Sequence, residues 1–221
     1  MPAGHHEPAP ATAADTRRLY LLRHGEAAPT RPGADPWAAP LTSRGRAQVA
    51  ELAEALAGLR LDLLVTSAVP RAVETAGILA RRLGQAPITE DGLNELRPGQ
   101  VLAGPPEAVR LAVRQAYRDA GLPGARFLGG EPFAAFGQRV EQALAAILAQ
   151  PGWTRAAVVT HEPVLRLAMA RCRGLGLAGL DAFEAATASI SIIDCPRGVI
   201  ALEDATLRLA NGTRQDAMQL E

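Results

Sequence analysis

Beyond residue 16 this chain has two histidines, His24 and His161, and each stands where a short apolar run gives out. Leu19-Tyr20-Leu21-Leu22 runs into Arg23-His24-Gly25, and Ala156-Ala157-Val158-Val159 runs into Thr160-His161. A third run, 61–65, ends at Thr66-Ser67, with Arg71 four residues further on. Two imidazoles and two guanidiniums at equivalent positions suit phosphoryl transfer. A phosphate ester carries nearly two negative charges, and Arg23 with Arg71 offers two positive ones in fork geometry. A neutral imidazole is a competent nucleophile that splits one difficult displacement into two easier ones. The candidate catalytic residues are therefore Arg23, His24, Arg71 and His161. Gly25, Ser67 and Glu162, their neighbours in the chain, join the candidate substrate-binding set.

Other phosphate chemistries find no support. A cysteine nucleophile needs an arginine six residues on, and Cys172 and Cys195 are followed there by Ala178 and Ala201. No Asp-x-Asp occurs for an aspartyl-phosphate mechanism. His161-Glu162 opens like a zinc-protease helix, but Leu165 stands where the second histidine is required. No obvious ligand cluster surrounds the two histidines, so metal-independent chemistry without a cofactor is expected. All 23 basic residues are arginine, which removes the P-loop lysine and Schiff-base chemistry. Any anion must then be held by planar, bidentate guanidinium groups.

These residues need a scaffold that gathers strand ends. The length of 221 residues fits one domain. Short apolar runs alternate with helical periodicity: Val49, Leu52, Ala53, Leu56 and Leu59 behind a Thr42 N-cap, then Val73, Ala76, Ala80 and Leu83 on one face. Helices are expected at about 105–120 and 133–149, the second with a stripe of Phe133, Phe136, Val140, Ala143, Leu144, Ile147 and Leu148. Another follows His161, with Val164, Leu167 and Ala168. Residues 189–193 and 199–202, separated by Pro196-Arg197-Gly198, look like a hairpin. The fold class is α/β: a single-domain three-layer α/β/α sandwich with a mostly parallel, mixed sheet. In such sheets ligands bind outside the carboxyl ends of the strands, where the candidate residues fall. Residues 1–16 read as a disordered Ala/Pro-rich tail with no signal-peptide pattern, leaving 17–221 as the folded domain.

Acidic and basic residues balance at 23 each, which gives no reason to expect nucleic acid or an anionic membrane as partner. No apolar run approaches the roughly 18–20 residues of a membrane span. Two cysteines make no disulfide framework, and a cytoplasmic location is expected. The expected partner is a small phosphorylated substrate. Oligomeric state is open, a homodimer among the options.

Leu-Arg-His-Gly-Glu at 22–26 resembles the signature of the histidine phosphatase superfamily, the phosphoglycerate-mutase-like group. The resemblance continues through Pro40-Leu41-Thr42-x-x-Gly45-x-x-Gln48, Thr66-Ser67-x-x-x-Arg71-Ala72-x-x-Thr75-Ala76, Leu93-Asn94-Glu95, Gly129-Gly130-Glu131 and Val158-Val159-Thr160-His161, over roughly 18–212. It implies that His24 is the phosphorylated nucleophile and that Arg23, Arg71 and His161 complete the phosphate pocket. It also implies that Glu95 protonates the leaving oxygen and later activates water. Three positions depart from the pattern. Glu162 replaces the usual glycine after the second histidine, Pro132 replaces a serine after Gly-Gly-Glu at the first position of a helix, and Ala27-Ala28-Pro29-Thr30 lacks the asparagine of the mutase branch.

The reading that follows is a phosphatase acting on a small phosphorylated metabolite. Residues 97–131, with Arg97, Arg110, Arg114, Tyr117, Arg118 and Arg126, are long enough to form a helical cover over the pocket. A phosphohistidine or phosphoprotein phosphatase is the alternative, favoured by the short start after Arg23 and the Asp35 to Thr42 loop. A non-catalytic binder of phosphorylated ligands is the third reading, and a mutase is disfavoured by residues 27–30.

Overall fold

In the computed structural model, which describes residues 16–29, 34–35, 37–100, 102, 104–213 and 215–216, the three apolar runs are neighbouring parallel strands. They are β1 (Thr16–Arg23), β2 (Leu63–Thr66) and β4 (Arg155–Thr160). With β3 (Pro87–Thr89), β5 (Ile190–Pro196) and β6 (Thr206–Gly212) they form one sheet in the order β3-β2-β4-β1-β5-β6. The first four strands in that order run parallel, and β5 is antiparallel to both of its neighbours. The register places Arg23 beside Thr160 and Thr66 beside Val159, so the three central strands end level with one another. Thr16 opens β1, one residue inside the expected tail, and the rest of that tail lies outside the described residues.

Side-chain alternation splits the core between the two faces of the sheet. Leu19 and Leu21, with Ala156 and Val158, face one hydrophobic cluster, whereas Tyr20 and Leu22, with Ala157 and Val159, face the other. Strands buried on both faces read as continuous apolar runs, which is why these were legible. Helices α1 (Ser43–Ala55) and α2 (Pro70–Leu83) pack on the second face. Helices α3 (Pro106–Arg118), α4 (Phe133–Ala149) and α5 (Glu162–Arg171) belong to the first. This is the expected α/β/α sandwich with a mixed sheet. No helix among the described residues is long and apolar enough to cross a membrane.

Thr42 caps α1 as its sequence suggests, accepting a hydrogen bond from the Gly45 N–H at 2.9 Å. The α4 stripe is buried as expected, although Pro132 is the N-cap and not the first helical residue. Three details differ from expectation. The buried face of α2 is Arg71, Ala72, Thr75, Ala76 and Leu79, and Val73 is exposed. Residues 199–202 are not a strand: they lead into a 3₁₀ turn, Leu202–Asp204, and β5 pairs with β6 instead. Thr206–Gly212 is an edge strand in which half-buried Leu207 and Leu209 alternate with exposed Arg208, a weaker signal than the apolar run before it. β3 was missed because all three of its residues are exposed.

Candidate active site

The site lies where β1, β4 and β2 end. His24 leaves β1 with its backbone N–H bonded to the Thr160 carbonyl, and Ser67 leaves β2 bonded to the Val159 carbonyl. His161 follows β4 as the N-cap of α5. Tight backbone packing fixes the turn after His24. A Cβ on Gly25 would stand 2.5 Å from the Gly45 carbonyl oxygen, and one on Gly45 would stand 2.1 Å from the Glu26 oxygen. The N–H of Gly25 donates to Thr75 Oγ1 at 3.3 Å.

His24 is buried, with a defined tautomer. Its Nδ1 faces the Gly25 carbonyl at 2.7 Å, an acceptor only, so that nitrogen carries the proton. Its Nε2 then presents a lone pair, which accepts a hydrogen bond from Arg71 Nε at 3.1 Å. Burial, then His161, Arg71 and Arg23, push its pKa down from 6.5 to about 3. The ring is neutral at physiological pH.

His161 is fully buried, its ring centroid 5.1 Å from that of His24. Ser67 Oγ lies 2.7 Å from its Nε2 and itself accepts from the Val69 N–H. Nδ1 stands 3.3 Å from Glu95 Oε2, a carboxylate oxygen that can only accept, which puts the proton on Nδ1, short of hydrogen-bond geometry, and leaves Nε2 to accept from the Ser67 hydroxyl. Burial lowers the His161 pKa and outweighs the opposing pull of Glu95. Burial pushes the Glu95 carboxyl up, but His161 and the Arg71 guanidinium outweigh it and hold the group below the ordinary carboxylate range. The Arg71 guanidinium, a permanent charge, stands 3.3 Å from Glu95 Oε2.

Arg71 thus touches His24 and Glu95, and its Nη1 donates to the Trp37 carbonyl at 3.3 Å. Arg23 donates to the Ala185 carbonyl and pairs with Glu162 Oε2 at 3.1 Å. Glu162 opens α5 with its other oxygen on Arg166, at 2.7 Å. The carboxylate that stands in place of the family's glycine is accordingly paired twice and not aimed bare at an anion. Arg166 anchors this chain of charges to the carbonyls of Leu180 and Phe183.

A cavity of about 220 Å³ is lined by Arg23, Trp37, Arg71, Glu95, Tyr117 and Glu162, with Pro98 and Phe127 at its side. Three buried nitrogens here have no hydrogen-bond acceptor: Arg23 Nε, Trp37 Nε1 and His161 Nδ1. A buried donor left unmatched costs about 1–3 kcal/mol, and the oxygens of a bound anion are the kind of acceptor such donors call for. His24, Glu95 and His161 also bring one ligand atom each within 4.8 Å, a cluster not foreseen from sequence. A cation at its centre would meet the Arg71 guanidinium, which already holds His24 Nε2 and Glu95. The charges fit an anion better.

All the predicted site residues therefore converge, with Gly25 as a packing and tautomer-fixing element and Ser67 as the partner of His161. Trp37, Arg139 and Arg166 were not singled out, and none follows a strand or carries a distinguishing local pattern. Both thiols are pushed up to about 12 by burial and stand outside this constellation. Of the arginines in 97–131, Arg114 and Arg118 pair with Asp181, Arg110 with Glu107, and Arg97 stacks over the Trp37 ring at 4.1 Å.

Residues 19–206 match the model of the histidine phosphatase superfamily (branch 1). The adenosylcobalamin/alpha-ribazole phosphatase of Escherichia coli K12 is 31% identical over 204 residues, 88% of this chain and 95% of that protein. A Yersinia enterocolitica protein named as a probable phosphoglycerate mutase is 28% identical over 72% of this chain and 75% of its own. Among solved structures, a mycobacterial glucosyl-3-phosphoglycerate phosphatase superposes with TM-score 0.73 at 27% identity, covering 90% of this chain and 100% of that one. The alpha-ribazole phosphatase of Shigella flexneri gives 0.70 at 28% identity, covering 88% and 96%.

Proposed function

The chain belongs to the histidine phosphatase superfamily, and from that premise we propose that it hydrolyses phosphomonoesters of small metabolites, without a metal, through a phosphohistidine on His24. One observation carries the reading furthest: a neutral imidazole, its Nε2 lone pair held only by the Arg71 Nε–H, sits among two arginines and three buried nitrogens that lack an acceptor. The phosphoryl oxygens take over the Arg71 Nε–H from His24 and accept from Arg23 and from His161 Nδ1. His24 Nε2 then attacks phosphorus as the bond to the leaving oxygen breaks.

Glu95 starts ionised. Incoming negative charge draws Arg71 away from it and raises its affinity for a proton, which it takes from the monoanionic phosphate of the substrate and passes to the leaving oxygen. In the second step water attacks phosphorus, Glu95 takes the water proton, and the P–N pair returns to His24. Donors aimed at the phosphoryl oxygens are worth about 2.7–4 kcal/mol of barrier each.

A small substrate is favoured by the walls. Tyr117 and Phe127, from the segment proposed as the cover, stack with centroids 5.8 Å apart and narrow one side of the cavity. An adjoining groove of about 490 Å³ shares Tyr117 and Glu162 with it and gives room for a leaving group. Relatives carry both phosphatase and mutase names, and hydrolysis is preferred here because Ala27-Ala28-Pro29-Thr30 lacks the asparagine of the mutase branch. Hydrolysis of p-nitrophenyl phosphate in EDTA tests the proposal: turnover that persists supports it, and activity abolished by chelation overturns its metal independence.

A further inference from the structure

Glu95 stands on a loop, yet the reaction proposed above needs its carboxyl placed to within a fraction of an ångström. β3 ahead of it is short and exposed, and β4 reaches the loop through Thr160 Oγ1, which donates to the Leu93 carbonyl at 2.7 Å and leaves the backbone from Asn94 onward to other anchors. The carbonyl of Glu95 itself is held by Arg139, 44 residues away on α4.

All five donors of the Arg139 guanidinium are used. Nη1 donates to the carbonyls of Gly92 at 2.9 Å and Asn94 at 2.7 Å. Nη2 donates to the carbonyl of Glu95 itself at 3.2 Å and to Glu131 Oε2 at 2.9 Å. Nε donates to Glu131 Oε1 at 2.7 Å, completing a bidentate pair. Glu131 in turn accepts from the Arg97 N–H at 3.1 Å, so the loop is gripped on both sides of Glu95. The fit is close. A Cβ on Gly92 would meet Ala143 Cβ at 2.7 Å and the Arg139 carbonyl oxygen at 2.9 Å. α4 is a firm mount, because Phe136 and Val140 beside Arg139 are fully buried.

We propose that Arg139, locked by Glu131, is a positioning residue that sets where the Glu95 carboxyl meets the leaving oxygen. The proposal rests on the acid role assigned to Glu95 above. It makes the Gly-Gly-Glu segment part of the catalytic frame: Gly130 packs against the 97–99 backbone, where a Cβ would stand 2.2 Å from the Gly99 nitrogen.

The test exploits leaving-group chemistry. p-Nitrophenolate departs as a stable anion without a proton, whereas the alkoxide of β-glycerophosphate does not. Arg139→Lys keeps the charge but cannot reach three carbonyls and a carboxylate together. Its kcat/KM should fall about 100-fold on β-glycerophosphate, the scale of a misplaced reacting group, and only a few-fold on p-nitrophenyl phosphate. The ratio of the two rates in one sample is independent of the folded fraction. Glu131→Gln, which loses the charged clamp and leaves Arg139 in place, should move the ratio in the same direction by a smaller factor. Equal losses on both substrates, or an unchanged ratio in both variants, would overturn the proposal. Wild type inactive on both substrates would instead overturn the phosphatase reading beneath it.

Discussion

Arg71 Nε donates to Nε2 of His24 at 3.1 Å while the other nitrogen of that ring is held by the Gly25 carbonyl. The guanidinium that would neutralise a phosphate therefore also occupies the lone pair that would attack it. Substrate binding and nucleophile release become one event, because an oxygen that captures this N–H frees the imidazole.

Arg71→Lys should accordingly be severe despite keeping the charge. A lysine ammonium cannot serve His24, Glu95 and the Trp37 carbonyl together. Loss of kcat/KM on p-nitrophenyl phosphate of roughly 100- to 1,000-fold is expected. A variant within threefold of wild type would show that the bidentate geometry is dispensable.

Acid should destabilise the fold before it protonates the folded site. The unfolded chain protonates His24 near the ordinary imidazole value of 6.5, whereas the folded chain resists until about 3. In that window the unfolded state binds more protons, so stability falls with falling pH. His24 contributes a slope of up to about 1.4 kcal/mol per pH unit, and the lowered His161 acts in the same direction. Urea unfolding at pH 7, 6 and 5 measures it. Replacing His24 by Gln should flatten the dependence by about one proton, and an unchanged slope would contradict the buried neutral state.

Glu162→Gln breaks the bridge between Arg23 and Arg166. The Arg23 guanidinium then loses its orienting partner and KM should rise roughly tenfold, in keeping with a charge-assisted hydrogen bond. A second effect opposes it, since removing a negative charge strengthens anion attraction; a KM lower than wild type would mean that charge, not orientation, governs this position.

Gly45→Ala should destabilise the protein by about 1–3 kcal/mol, because its Cβ would collide with the Glu26 backbone. Gly58→Ala, where nothing lies within 4 Å, is the control and should leave stability unchanged or slightly higher. Thermal unfolding of the pair decides it; equal midpoints would mean that the 25–26 turn shifts without cost.

Arg23, His24, Ser67, Arg71 and His161 were legible in the sequence because strands buried on both faces write themselves as apolar runs, and these residues mark where the runs stop. Glu95 was legible only through resemblance, since exposed β3 ahead of it leaves no periodic trace. Arg139 was invisible for a different reason. It stands on α4 as an ordinary charged residue beside an apolar stripe, and its three carbonyl acceptors arrive from 44 to 47 residues away. The same limit misplaced the last strand: 199–202 is more apolar than β6, but ladder pairing with β5 chose the alternating segment.

The central claim is a covalent phosphohistidine on His24 Nε2. Quenching the enzyme during turnover of a ³²P-labelled phosphomonoester should trap acid-labile, base-stable phosphate on the protein, and His24→Ala should carry none. Label that survives in His24→Ala, or wild-type turnover with no label trapped at any quench time, would contradict it.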